Sequence, residues 1–140
     1  MKKLNCVMLI DDDGVTNFIN HRLINRLDVA DSIETVINGD EAWQFLQHYT
    51  SKNNQNCPEL ILLDLNMPVM DGFEFLNLFK SFECNNKSQA KVVILTTSTH
   101  QKDIKAIVKD KSVGYITKPL TKEKLQPYIN EIVKNLKALA

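Results

Sequence analysis

The sequence predicts an α/β domain built on a five-stranded parallel sheet with helices on both faces. Three observations carry that prediction. Short runs of branched aliphatic residues, led by Val7-Met8-Leu9-Ile10 and Leu60-Ile61-Leu62-Leu63, suit strands buried on both faces. Segments with helical spacing alternate with these runs, and right-handed crossovers can lay such helices on either side of a parallel sheet. Each of the two leading runs ends in acid, Asp11-Asp12-Asp13 and Asp64, which delivers carboxylates to the edge where open α/β sheets bind ligands.

Taken in order, strands are expected at about 4–10, 32–37, 59–63, 91–95 and 113–117. The first helix, about 15–27, is expected to turn Phe18, Ile19, Leu23, Ile24 and Leu27 inward and Asn17, Asn20, Arg22 and Asn25 toward water, with Asp13 as its cap. The second, about 39–49, opens with Gly39-Asp40-Glu41 and repeats apolar groups at Ala42, Trp43, Leu46 and Tyr49. The third follows Asp71-Gly72 and carries Phe73, Phe75, Leu76, Leu78 and Phe79. Trp43, Phe73 and Phe75 read as packing residues. A fourth is expected at about 101–110, on Ile104, Ile107 and Val108. The fifth, about 121–138, starts at Thr121, a residue type that caps helices, and bears a broad apolar stripe of Leu125, Tyr128, Ile129, Ile132, Val133 and Leu136. Thr50–Pro58 and Glu83–Gln89 are polar loops.

A chain of 140 residues has the usual size of one domain, so residues 1–140 are expected to form a single domain without a second, output domain. Seventeen basic and 17 acidic residues cancel, which leaves no overall field to draw the protein to nucleic acid or anionic lipid. Cys6, Cys57 and Cys84 are odd in number and widely spaced, match neither a disulfide framework nor a Cys-x-x-Cys metal site, and are expected to be reduced, idle thiols. The first apolar run is too short and too soon acidic for a signal peptide, and no stretch approaches the ~20 apolar residues that span a bilayer. A cytoplasmic protein is expected.

The chemistry concentrates at one sheet edge. If the first and third strands are neighbours, at least three carboxylates crowd there, and two unit charges ~5 Å apart repel by about 3 kcal/mol at an effective dielectric of 20. A positive charge must sit among them, and a hard divalent cation with oxygen ligands, Mg²⁺ in particular, fits the donor set. The run Val92-Val93-Ile94-Leu95 brings Thr96-Thr97-Ser98-Thr99 to the same edge. Tyr115-Ile116-Thr117-Lys118-Pro119 ends the fifth strand in a lysine followed by a proline that stops the strand.

With these residues in place, the chain resembles the receiver domains of two-component response regulators along nearly all of its length. Asp11 and Asp12 match that family's metal-binding acids. Asp64, within Leu63-Asp64-Leu65-Asn66-Met67-Pro68-Val69-Met70-Asp71-Gly72, matches the phosphorylated aspartate. Thr96 matches the switch hydroxyl, Tyr115 the switch aromatic and Lys118-Pro119 the lysine-proline pair. The resemblance implies a doubly wound, flavodoxin-like sheet of order 2-1-3-4-5 with five helices. It also implies that Asp64 takes a phosphoryl group from the phosphohistidine of a sensor histidine kinase or histidine phosphotransfer protein and later loses it to water.

Mg²⁺ would then be held by Asp11 or Asp12, Asp64 and the backbone carbonyl of Asn66, with Lys118 and Thr96 on further phosphoryl oxygens. The hydroxyl bond made only after phosphorylation would draw Thr96 inward, free space for Tyr115 and alter the face formed by the fourth helix, fifth strand and last helix. That face is where a downstream protein, or a second copy of the chain, is expected to bind. Thr97 stands where many receivers carry a small residue, and its bulk is expected to slow turnover. The two polar loops and Leu95-Thr96-Thr97-Ser98 further resemble the stand-alone receivers that partner bacterial phytochromes.

The reading is thus a bacterial phosphorylation-controlled signalling module rather than an enzyme in the usual sense. One alternative, a Mg²⁺-dependent aspartyl phosphohydrolase, needs a second aspartate two residues after the nucleophile, and that position is Asn66. The other is a receiver that serves as an adaptor without phosphorylation.

Overall fold

The computed structural model describes residues 3–65, 67, 70–97 and 113–138. Their elements are β1 (Leu4–Ile10), α1 (Gly14–Leu27), β2 (Ala30–Val36), α2 (Gly39–Lys52), β3 (Leu60–Asp64), α3 (Gly72–Ser81), a single 3₁₀ turn (Lys87–Gln89), β4 (Lys91–Thr96), β5 (Val113–Thr117) and a last helix (Lys122–Ala138). All strand pairs are parallel and the order is β2-β1-β3-β4-β5, as expected. Four α-helices stand among the described residues, and the helix expected at about 101–110 lies outside them.

The sheet separates two apolar layers. Met8, Ile10, Ile61, Leu63, Val92 and Ile94 face α2 and α3, where they meet Leu46, Phe75 and Phe79. The alternate residues Val7, Leu9, Leu60, Leu62, Val93 and Leu95 face α1 and the last helix, where they meet Ile24, Leu125, Ile129 and Ile132. Because successive strand residues point to opposite faces, a strand covered on both sides must be apolar at every position, which is why these runs do not alternate. Burying each such side chain contributes about 1.5–3 kcal/mol relative to leaving it in water. The register aligns Ile10 with Leu63, Asp64 with Leu95 and Thr96 with Thr117, so the C-terminal ends of four strands form one edge.

Helix α1 is rotated from the expected face. Asn17 and Asn20 are buried, whereas Phe18 and Ile19 are 66% and 58% exposed and share the outer surface with Val15. The inward stripe is Asn17, Asn20 and Ile24 at helical spacing, flanked by half-buried Leu23 and Leu27. The cause is polar: the Asn17 amide donates to the carbonyls of Asp11 and Val36 where β1 and β2 run out of ladder partners. Hydrogen bonds to backbone at a strand end outweigh the apolar count here. Phe73, at the start of α3, is likewise 37% exposed rather than packed, while Phe75 is buried and Trp43 packs edge-on against Phe82.

The caps follow chemistry visible in the sequence. Asp13 accepts from the Val15 N–H, Asn38 from Glu41, Asp71 from Glu74 and Thr121 from Lys124. Helix α2 extends to Lys52, so the first polar loop starts later than expected.

The two polar loops lie together at the end of the sheet opposite the acidic edge. The Asn85 N–H donates to the Gln55 carbonyl and its side chain to the Asn54 carbonyl, and Asn86 bonds both the N–H and the carbonyl of Cys57. Between them Cys57 and Cys84 form a disulfide, with Cα atoms 5.9 Å apart. This corrects the expectation of three idle thiols. Sequence spacing hides the pairing because β3 and α3 intervene and return the chain to the same end. Cys6 alone remains a free thiol, and burial pushes it up to about 11.

Candidate functional site

Each acid is placed by an element end. Asp11 follows β1 directly, and its carboxylate accepts from the Asp13 N–H at 2.9 Å and from Lys118 Nζ at 2.8 Å. Asp64 is the last residue of β3 and is 5% exposed, like Asp11 at 3%. Asp12 between them is solvent-exposed. One carboxylate oxygen from each of Asp11, Asp12 and Asp64 lies within 4.8 Å of the others. Asp13, the fourth acid, is spent on capping α1, as its sequence position implies.

Lys118 answers this negative charge directly. It lies 2.8 Å from Asp11 and 3.8 Å from Asp64. Burial lowers its pKa, but the hydrogen bond it donates to Asp11 and the charges of Asp64, Asp11 and Asp12 outweigh that and hold it above its ordinary value. Its main-chain N–H donates to the Thr96 carbonyl, which ties the end of β5 to the end of β4, and the Lys118–Pro119 peptide is cis.

Thr96 closes β4, is 1% exposed and pairs in register with Thr117. Tyr115, on β5, is 37% exposed, and its main-chain N–H and carbonyl both bond the Tyr128 hydroxyl of the last helix. The structure therefore brings Asp11, Asp12, Asp64 and Lys118 together, sets Thr96 at the same edge, and leaves Tyr115 on the outer side of β5. Asn66, expected to lend its carbonyl, lies outside the described residues.

The start of α3 is seated against the end of β3 by a glycine. A side chain at Gly72 would stand 2.5 Å from the Asp64 carbonyl oxygen and 2.7 Å from the Leu65 Cα, and the Gly72 N–H donates to the Leu65 carbonyl. The start of α3 can rest on the end of β3 only because that position has no Cβ. Sequence reasoning missed Asn17, whose amide bonds the Asp11 carbonyl. No periodicity argument finds it, because an asparagine in a helix counts there as outward-facing.

A tight trio of carboxylate oxygens, two of them buried, is a hard-oxygen donor set and fits a divalent cation of the Mg²⁺ type. With a cation present, the site would set the Asp64 carboxylate next to two positive charges, an arrangement that can receive an anion.

The fold and this edge are those of a signalling domain of two-component type, and comparison with known proteins agrees. The family model of the response regulator receiver domain matches residues 7–130. The chain belongs to that family. A two-component response regulator from Cytophaga hutchinsonii superposes with a TM-score of 0.85 at 30% identity, covering 95% of this chain and 99% of that one. The chemotaxis protein CheY of Halobacterium salinarum is 29% identical over 91% of this chain and 95% of its own. The bacteriophytochrome response regulator AtBRR has a TM-score of 0.73 at 22% identity over 94% of each chain, a likeness of fold alone. Receiver domains are signalling domains of two-component systems. Among the described residues, no helix is long and apolar enough to cross a membrane.

Proposed function

We propose that residues 1–140 act as a single phosphorylation-controlled receiver domain. Asp64 accepts a phosphoryl group from a phosphohistidine of a histidine kinase or phosphotransfer protein, and Thr96 and Tyr115 carry the change to the β5 face, where a downstream protein binds. The observation that carries this reading is the convergence of Asp11, Asp12 and Asp64 on one point with Lys118 against two of them. Three carboxylates drawn to one point repel one another unless positive charge is supplied, and Lys118 stands within ion-pair distance of two of them.

The chain's own groups have separable tasks. Asp64 supplies the attacking carboxylate oxygen, so that the N–P bond of the donor breaks as an O–P bond forms. Lys118 screens one phosphoryl oxygen, and its contact with Asp11 holds the ammonium over the site before the donor arrives. The Thr96 hydroxyl supplies a hydrogen bond that exists only once Asp64 is modified. Mg²⁺ bound by Asp11, Asp12 and Asp64 would supply charge neutralisation and in-line orientation. Beside Lys118 a cleft of about 300 Å³ is lined by Thr16, Ile19, Asn20, Thr97, Pro119 and Leu120. With exposed Val15 and Phe18 it offers apolar ground on which a donor protein can seat.

The test is acceptance itself. Acetyl phosphate with Mg²⁺ should add one phosphoryl group to the intact protein, seen by mass spectrometry, and Asp64→Asn should abolish it. Undiminished labelling of that variant would overturn the assignment.

A further inference from the structure

The three acids are not restrained alike. Asp11 is buried, and its carboxylate is held by the Asp13 N–H and by Lys118. Asp64 is buried at the end of β3 and faces Lys118. Asp12 is exposed, so its carboxylate is placed by the backbone that carries it, above all by the peptide joining it to Asp11. The carbonyl of that peptide accepts a 2.9 Å hydrogen bond from Asn17 Nδ2, which also reaches the Val36 carbonyl at 3.2 Å. The Val36 carbonyl in turn accepts from the Asp11 N–H at 3.1 Å. One side-chain amide therefore knots the end of β1 to the end of β2 at the residue from which Asp12 departs.

The orientation of this amide is fixed by its surroundings, because the opposite flip would set Oδ1 against two carbonyl oxygens. Asn17 is 5% exposed, and its Oδ1 is buried without a hydrogen-bond partner. Asparagine is also a poorer helix former than the aliphatic residue that packing alone would select here. Both costs oppose its presence, and the two carbonyl bonds are what offset them.

We infer that Asn17 is a positioning residue: by holding the Asp11–Asp12 peptide it aims the Asp12 carboxylate at a divalent cation shared with Asp11 and Asp64. This rests on the receiver reading above.

Asn17→Asp tests it by opposing two effects. The substitution nearly keeps the shape, removes the donor and adds a negative charge close to the cation. If the residue acted only through the local field, Mg²⁺ would bind more tightly. If it positions Asp12, the two carbonyls repel the new carboxylate and Mg²⁺ binds at least about 10-fold more weakly, the usual effect of losing an outer partner of a metal ligand. Calorimetric titration with Mg²⁺ at pH 8 reads the affinity, while melting of the metal-free proteins reads folding separately. Asn17→Gln, which keeps the donating amide, should fall between native and Asn17→Asp.

Native protein that binds no Mg²⁺ would overturn the receiver reading. Native binding with equal or tighter binding by Asn17→Asp, or with Asn17→Gln weaker than Asn17→Asp, would overturn this inference alone. If the variants do not fold, the native side-chain amide protons of Asn17, followed by NMR, should exchange slowly and shift on Mg²⁺ addition. Rapid exchange with no shift would overturn it as well.

Discussion

Thr96 and Lys118 sit a few ångströms apart in the fold yet should fail in different ways when removed. Thr96 lies outside the acidic trio and is not the nucleophile, so Thr96→Ala should still be labelled at Asp64. It should nevertheless lose the response. With beryllofluoride as phosphoryl mimic, amide signals at residues 113–117 should move in native protein and move much less in the variant, while signals beside Asp64 shift in both. Equal shifts on β5 would remove Thr96 from the mechanism. Lys118→Ala should lose more, because an ammonium facing a phosphoryl anion forms a charge-assisted contact about twice as strong as a neutral hydrogen bond. The site residues that the sequence revealed are those whose chemistry is out of place after an apolar run: Asp11, Asp12, Asp64, Thr96 and Lys118. Asn17 was hidden because its role depends on where β1 and β2 stop pairing, which is tertiary information.

Among the elements, strands were legible nearly to their ends because burial on both faces forces an uninterrupted apolar run, which the two sheet edges weaken: most residues of β2 and β5 stay partly exposed, and the start of β2 shifts to Ala30. Helix α1 was legible in extent but not in rotation, since its inward face is set by two asparagines. The third helix begins on a glycine whose reason is visible only in three dimensions. Gly72→Ala should press the new methyl on the Asp64 carbonyl and the Leu65 backbone, cost roughly 1–3 kcal/mol as overpacking does, and slow labelling of Asp64 by acetyl phosphate. Denaturant unfolding and the labelling time course measure the two effects, and native values in both would show that α3 can yield. The polar loops were recognised as loops, but their mutual pairing was not. Thiol titration of the denatured, unreduced protein should count one cysteine, Cys6, rising to three after reduction. Closing a loop across 27 residues contributes about 3.5 kcal/mol in the chain-entropy account, so reduction should lower the melting temperature. Three thiols in the unreduced protein would refute the bond.

Across the whole molecule, the sheet has a reactive end and a tied end. At the first, three carboxylates gather at one point with Lys118 against two of them. Mg²⁺ should therefore raise the melting temperature without any phosphate, by about 2.7 kcal/mol of stability at a hundredfold excess over its Kd. Asp12→Ala should abolish that gain and raise the melting temperature of the metal-free protein, because one repelling charge is gone. A melting curve indifferent to Mg²⁺ would speak against the site.

The tied end has a topological consequence. With Cys57 joined to Cys84, the backbone from one to the other is a closed covalent ring, and β3, Asp64 and α3 all lie on it. Opening that ring at one peptide linearises it without dividing the protein. Cleavage after Lys52, Lys80 and Lys87 yields residues 53–80, which contain Asp64, still coupled through sulfur to residues 81–87. In an unreduced digest Asp64 thus travels on a branched, two-chain peptide, and only a reductant resolves it into its linear halves.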